Sequence, residues 1–348
     1  VGLATAVLSM WISNAATALM MLPIALALIT EIKEKRLLNE TSFDNFSKGL
    51  LLTVAYSASI GGLATIIGSV PNAVLVAVAN NMLNVEITFA NWFLFGSIVT
   101  VLLMVFMYFY ITKFQFKVEQ DQNISTKFAQ DQLKELGKMS TEEKSVLTIF
   151  VIVGFMWIFG GLLPWTLSDT TISIFGASAM FLIPNTKGGR ILEWADMKNL
   201  SWGLLLLFGG GLSLAAAFED SGLTAWFGEL LTRLEQFNYF YIVVILTVTI
   251  LFMTEIMSNT AVSNMLMPIS VGLAAGIGVE PFGIMAIVAL ASSCAFMLPI
   301  STPPNAAVFG SGELAIKDMI KAGFWLNMFG IVVIVFAVYV LQPMIFSF

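Results

Sequence analysis

The sequence contains no histidine and a single cysteine in 348 residues. Without histidine there is no imidazole proton relay and no His-ligated metal. Cys294 alone can form neither an intrachain disulfide nor a cysteine metal cluster. Charge is also scarce. Asp, Glu, Lys and Arg make up 11% of the chain, against roughly 25% in a soluble domain. Hydrophobic residues make up 58%, and mean hydropathy is +0.90. The net charge of −6 therefore says little about partners, and nothing points to nucleic acid. An initiator Met and a signal-peptide pattern are both lacking, and Val1 already lies in an apolar run. A truncated N-terminus is expected.

What is present is apolar sequence in runs longer than the ~20 residues that cross a bilayer. The expected class is an all-α polytopic membrane protein. Residues 1–30 are apolar around Ser9 and Ser13-Asn14-Ala15-Ala16-Thr17, and 31–48 read as a polar linker. Residues 49–79 are apolar but interrupted at Gly61-Gly62 and Ser69-Val70-Pro71-Asn72. A clean span at 92–111 precedes a polar loop, 112–145, where Ser140-Thr141-Glu142-Glu143 has the pattern of a capping box. Residues 146–218 contain spans at about 146–163, 170–184 and 200–218. Gly209-Gly210-Gly211 in the last of these reads as close helix packing, and the nineteen Met residues as core filler.

Residues 219–237 read as an amphipathic, interfacial helix. Leu223, Trp226, Phe227, Leu230, Leu231 and Leu234 recur at helical spacing opposite Glu229, Arg233 and Glu235. The run 238–277 is too long for one span and breaks at Met257-Ser258-Asn259-Thr260. Residues 283–309 break at Ser301-Thr302-Pro303-Pro304-Asn305, and 323–346 form a last span. Suppose the loops 31–48, 112–145, 185–199 and 310–322 are cytoplasmic. They then hold every Lys and Arg of the sixteen except Arg233. This requires 238–277 to return to the side it entered, as two passes or as a re-entrant hairpin.

An internal repeat is the more specific signal. Ser13-Asn14-Ala15-Ala16 aligns with Ser258-Asn259-Thr260-Ala261, and a Pro follows each Ser at the same spacing, Pro23 and Pro268. Downstream, Ser69-Val70-Pro71-Asn72-Ala73 matches Thr302-Pro303-Pro304-Asn305-Ala306. On the charge map the two copies are approached from opposite sides, so they form an inverted repeat with broken helices. In secondary transporters that arrangement puts the site at the midplane. Helix N-termini at such breaks attract an anion. Freed carbonyls with Ser, Thr and Asn oxygens suit a hard cation such as Na⁺. The predicted spans hold no Lys or Arg, which excludes an arginine fork for the anion. Asn can donate to a carboxylate and accept a cation, so Asn14 and Asn259 are natural bridges. Glu255 is the one acid placed within a membrane segment. It can carry a proton, offset a cation or brace the hairpin, and bracing is favoured because it directly follows Thr254.

Three stretches, Met10-Trp11-Ile12-Ser13-Asn14 through Pro23-Ile24, Met257-Ser258-Asn259-Thr260-Ala261 and Leu298-Pro299-Ile300-Ser301-Thr302-Pro303-Pro304-Asn305-Ala306, resemble the divalent anion/sodium symporter family. The resemblance covers essentially the whole chain. It implies a homodimer in the lipid membrane, working by an elevator motion, with two re-entrant hairpins in a mobile transport domain and an amphipathic arm beside a scaffold. It implies a first Na⁺ site of Ser9, Ser13, Asn14 and Gly62, and a second of Thr254, Met257 (through its carbonyl), Asn259 and Ser301. Substrate carboxylates would meet Asn14, the Ala15 position, Asn259 and Thr260, with Thr302 and Pro303 nearby. Family members are longer at the N-terminus, so this chain is expected to start inside the first hairpin. Ala15 departs from the family's Thr and removes one hydroxyl.

The expected function is a secondary-active, Na⁺-coupled symporter of succinate-like C4 dicarboxylates in the plasma membrane, and not an enzyme. The alternatives are a Na⁺-independent dicarboxylate exchanger and an anion channel.

Overall fold

The computed structural model describes residues 1–118, 138–160, 167–186, 188–199, 202–231 and 238–346. The protein is an all-α, multi-pass membrane protein. Four described helices are long and apolar enough to cross a membrane: Asn14–Glu34, Phe89–Gln115, Tyr239–Ile256 and Ile316–Ile345. The chain divides into two units.

The larger unit comprises Val1–Ile87, Asn91–Asp121 and Leu206–Phe348. Its N-terminal part has helices α1 (Gly2–Ser9), α2 (Asn14–Glu34), α3 (Glu40–Gly61) and α4 (Val70–Leu83). Helix α5 (Phe89–Phe109) follows and continues as a π-helical turn, Tyr110–Gln115. Helix α2 runs on to Glu34 and α3 begins at Glu40, so the stretch 31–48 read as a linker is mostly helical. Asn39 caps α3 by accepting from Ser42 N at 2.8 Å. Its charges then stack at helical spacing: Lys48 pairs with Asp44 at 2.7 Å and with Asp318 at 3.3 Å. The Asp44 hydrogen bond raises the Lys48 pKa above its ordinary value.

The smaller unit comprises Thr88–Ala90 and Gln122–Leu205. It contains α6 (Thr141–Phe159) and α7 (Asp169–Leu182). The capping box forms as the sequence predicts: Glu143 N donates to Ser140 Oγ at 3.1 Å and Ser140 N donates to the Glu143 carboxylate at 2.7 Å. Phe89 stacks on Trp157, and its N–H donates to Asp169 at 2.8 Å.

The chain continues through α8 (Trp202–Asp220) and α9 (Leu223–Leu231). Of the glycine triplet in α8, only Gly211 meets a close neighbour among the described residues, the Asn264 side chain; Gly209 and Gly210 meet none there. Helix α9 falls on the stretch read as an amphipathic arm, and residues 232–237 of that reading lie outside the described residues. It packs along α11, where Gly272 lets the Thr224 backbone come close.

The larger unit closes with α10 (Tyr239–Ile256), α11 (Asn259–Gly276), α12 (Pro281–Ser293), α13 (Pro303–Phe309) and α14 (Ile316–Phe336). A π-helical turn, Ala337–Leu341, and Gln342–Ile345 extend α14, which starts earlier than the predicted last span.

Two helices form the centre. Every residue of α12 from Phe282 to Ser293 is buried, as is α3 from Val54 to Gly61. A helix apolar all round belongs inside a bundle. Small residues do the packing: a side chain on Gly61 would strike the Ala6 backbone, and one on Gly96 would strike the Leu63 carbonyl. In lipid, such close approach supplies helix association where water-driven burial cannot. The short helices are exchanged: α13 packs on α2 and α3, while α4 packs on α11 and α12.

Candidate ion and anion site

Both hairpins turn on the same local logic. The α1–α2 turn spans Met10 to Ser13, and the α10–α11 turn is Met257-Ser258. In each, a Ser side chain caps the outgoing helix. Ser13 Oγ accepts from Ala16 N at 3.4 Å and Ser258 Oγ from Ala261 N at 3.2 Å. The caps leave the first two helical N–H groups unbonded: Asn14 and Ala15 in α2, Asn259 and Thr260 in α11. Exposure follows the same order in both: Ser13 and Ser258 exposed, Asn14 and Asn259 half-buried, Ala15 and Thr260 half-buried.

Behind each turn lies an oxygen cluster. Ser9 Oγ donates to Asn14 Oδ1 at 2.8 Å and to the Ala58 carbonyl at 2.6 Å. Thr254 Oγ1 donates to Asn259 Oδ1 at 2.8 Å and to the Ser292 carbonyl at 2.8 Å. One hydroxyl has one proton, so each cluster holds three oxygens around a single hydrogen. The first cluster gains a fourth oxygen, the Gly68 carbonyl, 3.1 Å from the Asn14 amide. Two arrangements satisfy that crowding: the Asn14 amide turns its nitrogen toward these oxygens, or a cation takes the proton's place. Gly62 fits the same cradle, since a side chain there would strike Asn14 and the Gly68 carbonyl.

The helix breaks behind the clusters are held by asparagine. Asn72 Nδ2 donates to the carbonyls of Gly62 at 3.1 Å, Leu63 at 3.4 Å and Thr65 at 2.8 Å. Asn305 Nδ2 donates to the carbonyls of Ala295 at 3.2 Å and Leu298 at 3.0 Å, and to Ser301 Oγ at 3.3 Å. Non-helical backbone at membrane depth requires such internal partners. A buried Ser69–Ser293 hydroxyl pair at 2.9 Å joins the first break to α12.

The sequence-predicted residues fall as follows. Ser9, Asn14 and Gly62 come together with the Ala58 and Gly68 carbonyls, while Ser13 acts as a cap. Thr254 and Asn259 come together with Ser292, and among the described residues no hydrogen bond occupies the Met257 carbonyl. Ser301 sits in the second break, where its hydroxyl donates to Leu298 O at 2.6 Å. Thr302 is buried, Pro303 is exposed, and Thr302 Oγ1 accepts from Asn305 N at 3.3 Å. The carbonyls of Ala58, Gly68 and Ser292 escape sequence reasoning, because every residue has a carbonyl and no side-chain signal marks these.

Comparison with known proteins identifies the family. The profile of the sodium:sulfate symporter transmembrane region matches residues 1–348. The chain belongs to this family. It is 41% identical over 357 residues to the sodium-dependent dicarboxylate transporter SdcS of Staphylococcus saprophyticus, covering 98% of this chain and 68% of that protein. It is 40% identical over 355 residues to SdcS of Staphylococcus aureus strain USA300, again over 98% and 68%.

In this sodium:sulfate symporter family member, the N-terminus of α13 offers few hydrogen-bond donors. Pro303 and Pro304 have no N–H. Asn305 N is taken by Thr302 Oγ1 and Ala306 N by Thr302 O. Helix α13 therefore offers its dipole and the Thr302 hydroxyl proton, but no free backbone donor. The backbone donors come from α2 and α11.

Proposed function

We propose that this chain forms the substrate- and ion-binding core of a Na⁺-coupled dicarboxylate symporter of the plasma membrane. The observation that carries the reading is the pair of matching polar clusters, Ser9–Asn14–Ala58 and Thr254–Asn259–Ser292, each set behind a helix N-terminus with two free N–H groups. Na⁺ is a co-substrate. Ser9, Asn14, the Ala58 and Gly68 carbonyls and the Gly62 cradle fit the first ion. Thr254, Asn259 and the Ser292 carbonyl fit the second, with the Met257 carbonyl and Ser301 as the further candidates.

The substrate is a C4 dicarboxylate such as succinate. Its carboxylates take the free N–H groups at Asn14 and Ala15 and at Asn259 and Thr260, with the Thr260 and Thr302 hydroxyls. Each bound ion draws its asparagine oxygen inward and leaves the asparagine NH₂ for the anion, so ion and substrate share one residue on each side. That sharing couples them. We further read the two hairpins as re-entrant from opposite faces, the α9 region as an interfacial arm, and transport as an elevator motion of the larger unit's helices in a homodimer.

Uptake of labelled succinate into proteoliposomes holding the full gene product tests this. Saturable uptake that requires an inward Na⁺ gradient, with counterflow, is expected. Uptake indifferent to Na⁺ overturns the coupling and leaves an exchanger. Non-saturating flux without counterflow leaves a channel.

A further inference from the structure

Glu255 is buried and lies immediately after Thr254. Its carboxylate accepts from Phe296 N at 2.8 Å, Met297 N at 3.0 Å, Leu298 N at 3.1 Å and Asn327 Nδ2 at 2.7 Å. All four are N–H donors, so both oxygens act only as acceptors, and the described residues offer it no Lys or Arg partner. A buried carboxylate without a cationic partner is costly. Hydrogen bonds compensate part of that cost.

The donors come from two different elements. Residues 296–298 lie in the break between α12 and α13, and Asn327 lies on α14. One turn before Asn327, Gly323 lets α14 approach closely, because a side chain there would strike the Phe296 backbone. Leu298, held through its N–H by Glu255, also accepts from Asn305 Nδ2 and Ser301 Oγ through its carbonyl. Glu255 thus fixes the turn of α10, the second break and α14 together.

The first half is built otherwise. The equivalent position, directly after Ser9, is Met10, whose carbonyl accepts from the Thr65 hydroxyl. Neutral donors from α5 hold the rest: Trp92 Nε1 to Leu63 O at 3.2 Å and Thr100 Oγ1 to Ile60 O at 3.2 Å. The two clusters are alike in their oxygens and unlike in their support.

We propose that Glu255 is a positioning residue for the second cation site, and that its charge strengthens Na⁺ binding there. The proposal rests on the Na⁺-symport reading above. A cation among Thr254, Asn259 and Ser292 supplies the positive charge that the protein around Glu255 lacks. The carboxylate in turn holds the backbone against which those ligands are set.

The test is Na⁺-dependent succinate uptake by the full gene product in proteoliposomes, comparing wild type with Glu255→Gln. The expected result is a rise of about five- to tenfold in the Na⁺ concentration for half-maximal uptake, with rate recovered at high Na⁺. The succinate KM at saturating Na⁺ should stay within about twofold of wild type. A purely structural role would lower the amount of protein and the maximal rate at unchanged half-saturation, and that result overturns the proposal. If Glu255→Gln does not reach the membrane, Asn327→Leu removes one of the four donors and leaves the carboxylate. A shift of about two- to threefold in the same direction is then expected, and an unchanged half-saturation overturns the proposal. Wild-type uptake that ignores Na⁺ would instead sink the symport reading, and this inference with it.

Discussion

Asn14 and Asn259 occupy matching hydrogen-bond frames: each side-chain amide lies 2.8 Å from a hydroxyl five positions earlier in the chain, Ser9 or Thr254. That hydroxyl also reaches a carbonyl on a central helix, Ala58 of α3 or Ser292 of α12. Each asparagine therefore ties a hairpin turn to a buried helix.

Asn259→Ala should abolish transport while the protein still reaches the membrane, and Asn14→Ala should do the same. On the proposed reading both remove a ligand shared between ion and anion, so no concentration of either partner should restore the rate. Succinate uptake normalised to membrane protein checks this. Normal transport by either variant would refute its assigned role.

Ala15→Thr should strengthen substrate binding. In the proposed site Thr260 offers a hydroxyl on its side, whereas Ala15 offers only its N–H. A hydrogen bond to a charged group contributes ~1.5–3 kcal/mol, so the succinate KM should fall by about tenfold or more. The Na⁺ half-saturation should hold, because the Ser9–Asn14–Ala58 cluster does not include this side chain. A KM that does not move would place the carboxylate elsewhere.

Gly62→Ala should abolish Na⁺-coupled uptake, since the added methyl would strike both Asn14 and the Gly68 carbonyl. Gly209→Ala is the matched control, as no described residue lies close to its site. Na⁺ titration of uptake for the pair separates a filled cradle from a general loss of helix flexibility.

Asn72→Ala and Asn305→Ala should each destabilise the fold. Each side chain holds several acceptors in a helix break, and each buried group left unpaired costs ~1–3 kcal/mol. Thermal unfolding in detergent should show a lowered midpoint of similar size for the two variants. An unchanged midpoint for one alone would mean that its break is held by other groups.

The sequence made the two turns legible because their signal lies in side chains at fixed spacing: a Ser, an Asn, a Pro ten residues after the Ser. Other parts were less so, for distinct reasons. The start of α3 reads as a linker, since Glu40, Asp44 and Lys48 are polar; they form the solvated end of a helix whose remainder is buried. The carbonyl ligands carry no side-chain mark. Glu255 reads as a brace from its neighbour Thr254, but its partner Asn327 is 72 residues away, a distance that no local pattern spans.

The exchange of short helices has a consequence for how the protein is made. Helix α13 covers α2 and α3, and α4 packs on α11 and α12. During synthesis the first hairpin and its break must therefore wait in the bilayer until residues 303–309 have been added. Until then the early half lacks the α13 contacts of the folded protein. That interval is when chaperones, or lipid headgroups drawn inward, would matter most. Changes that weaken Asn72 should thus lower yield during biogenesis more than equal changes at Asn305, whose neighbours are already in place when it emerges.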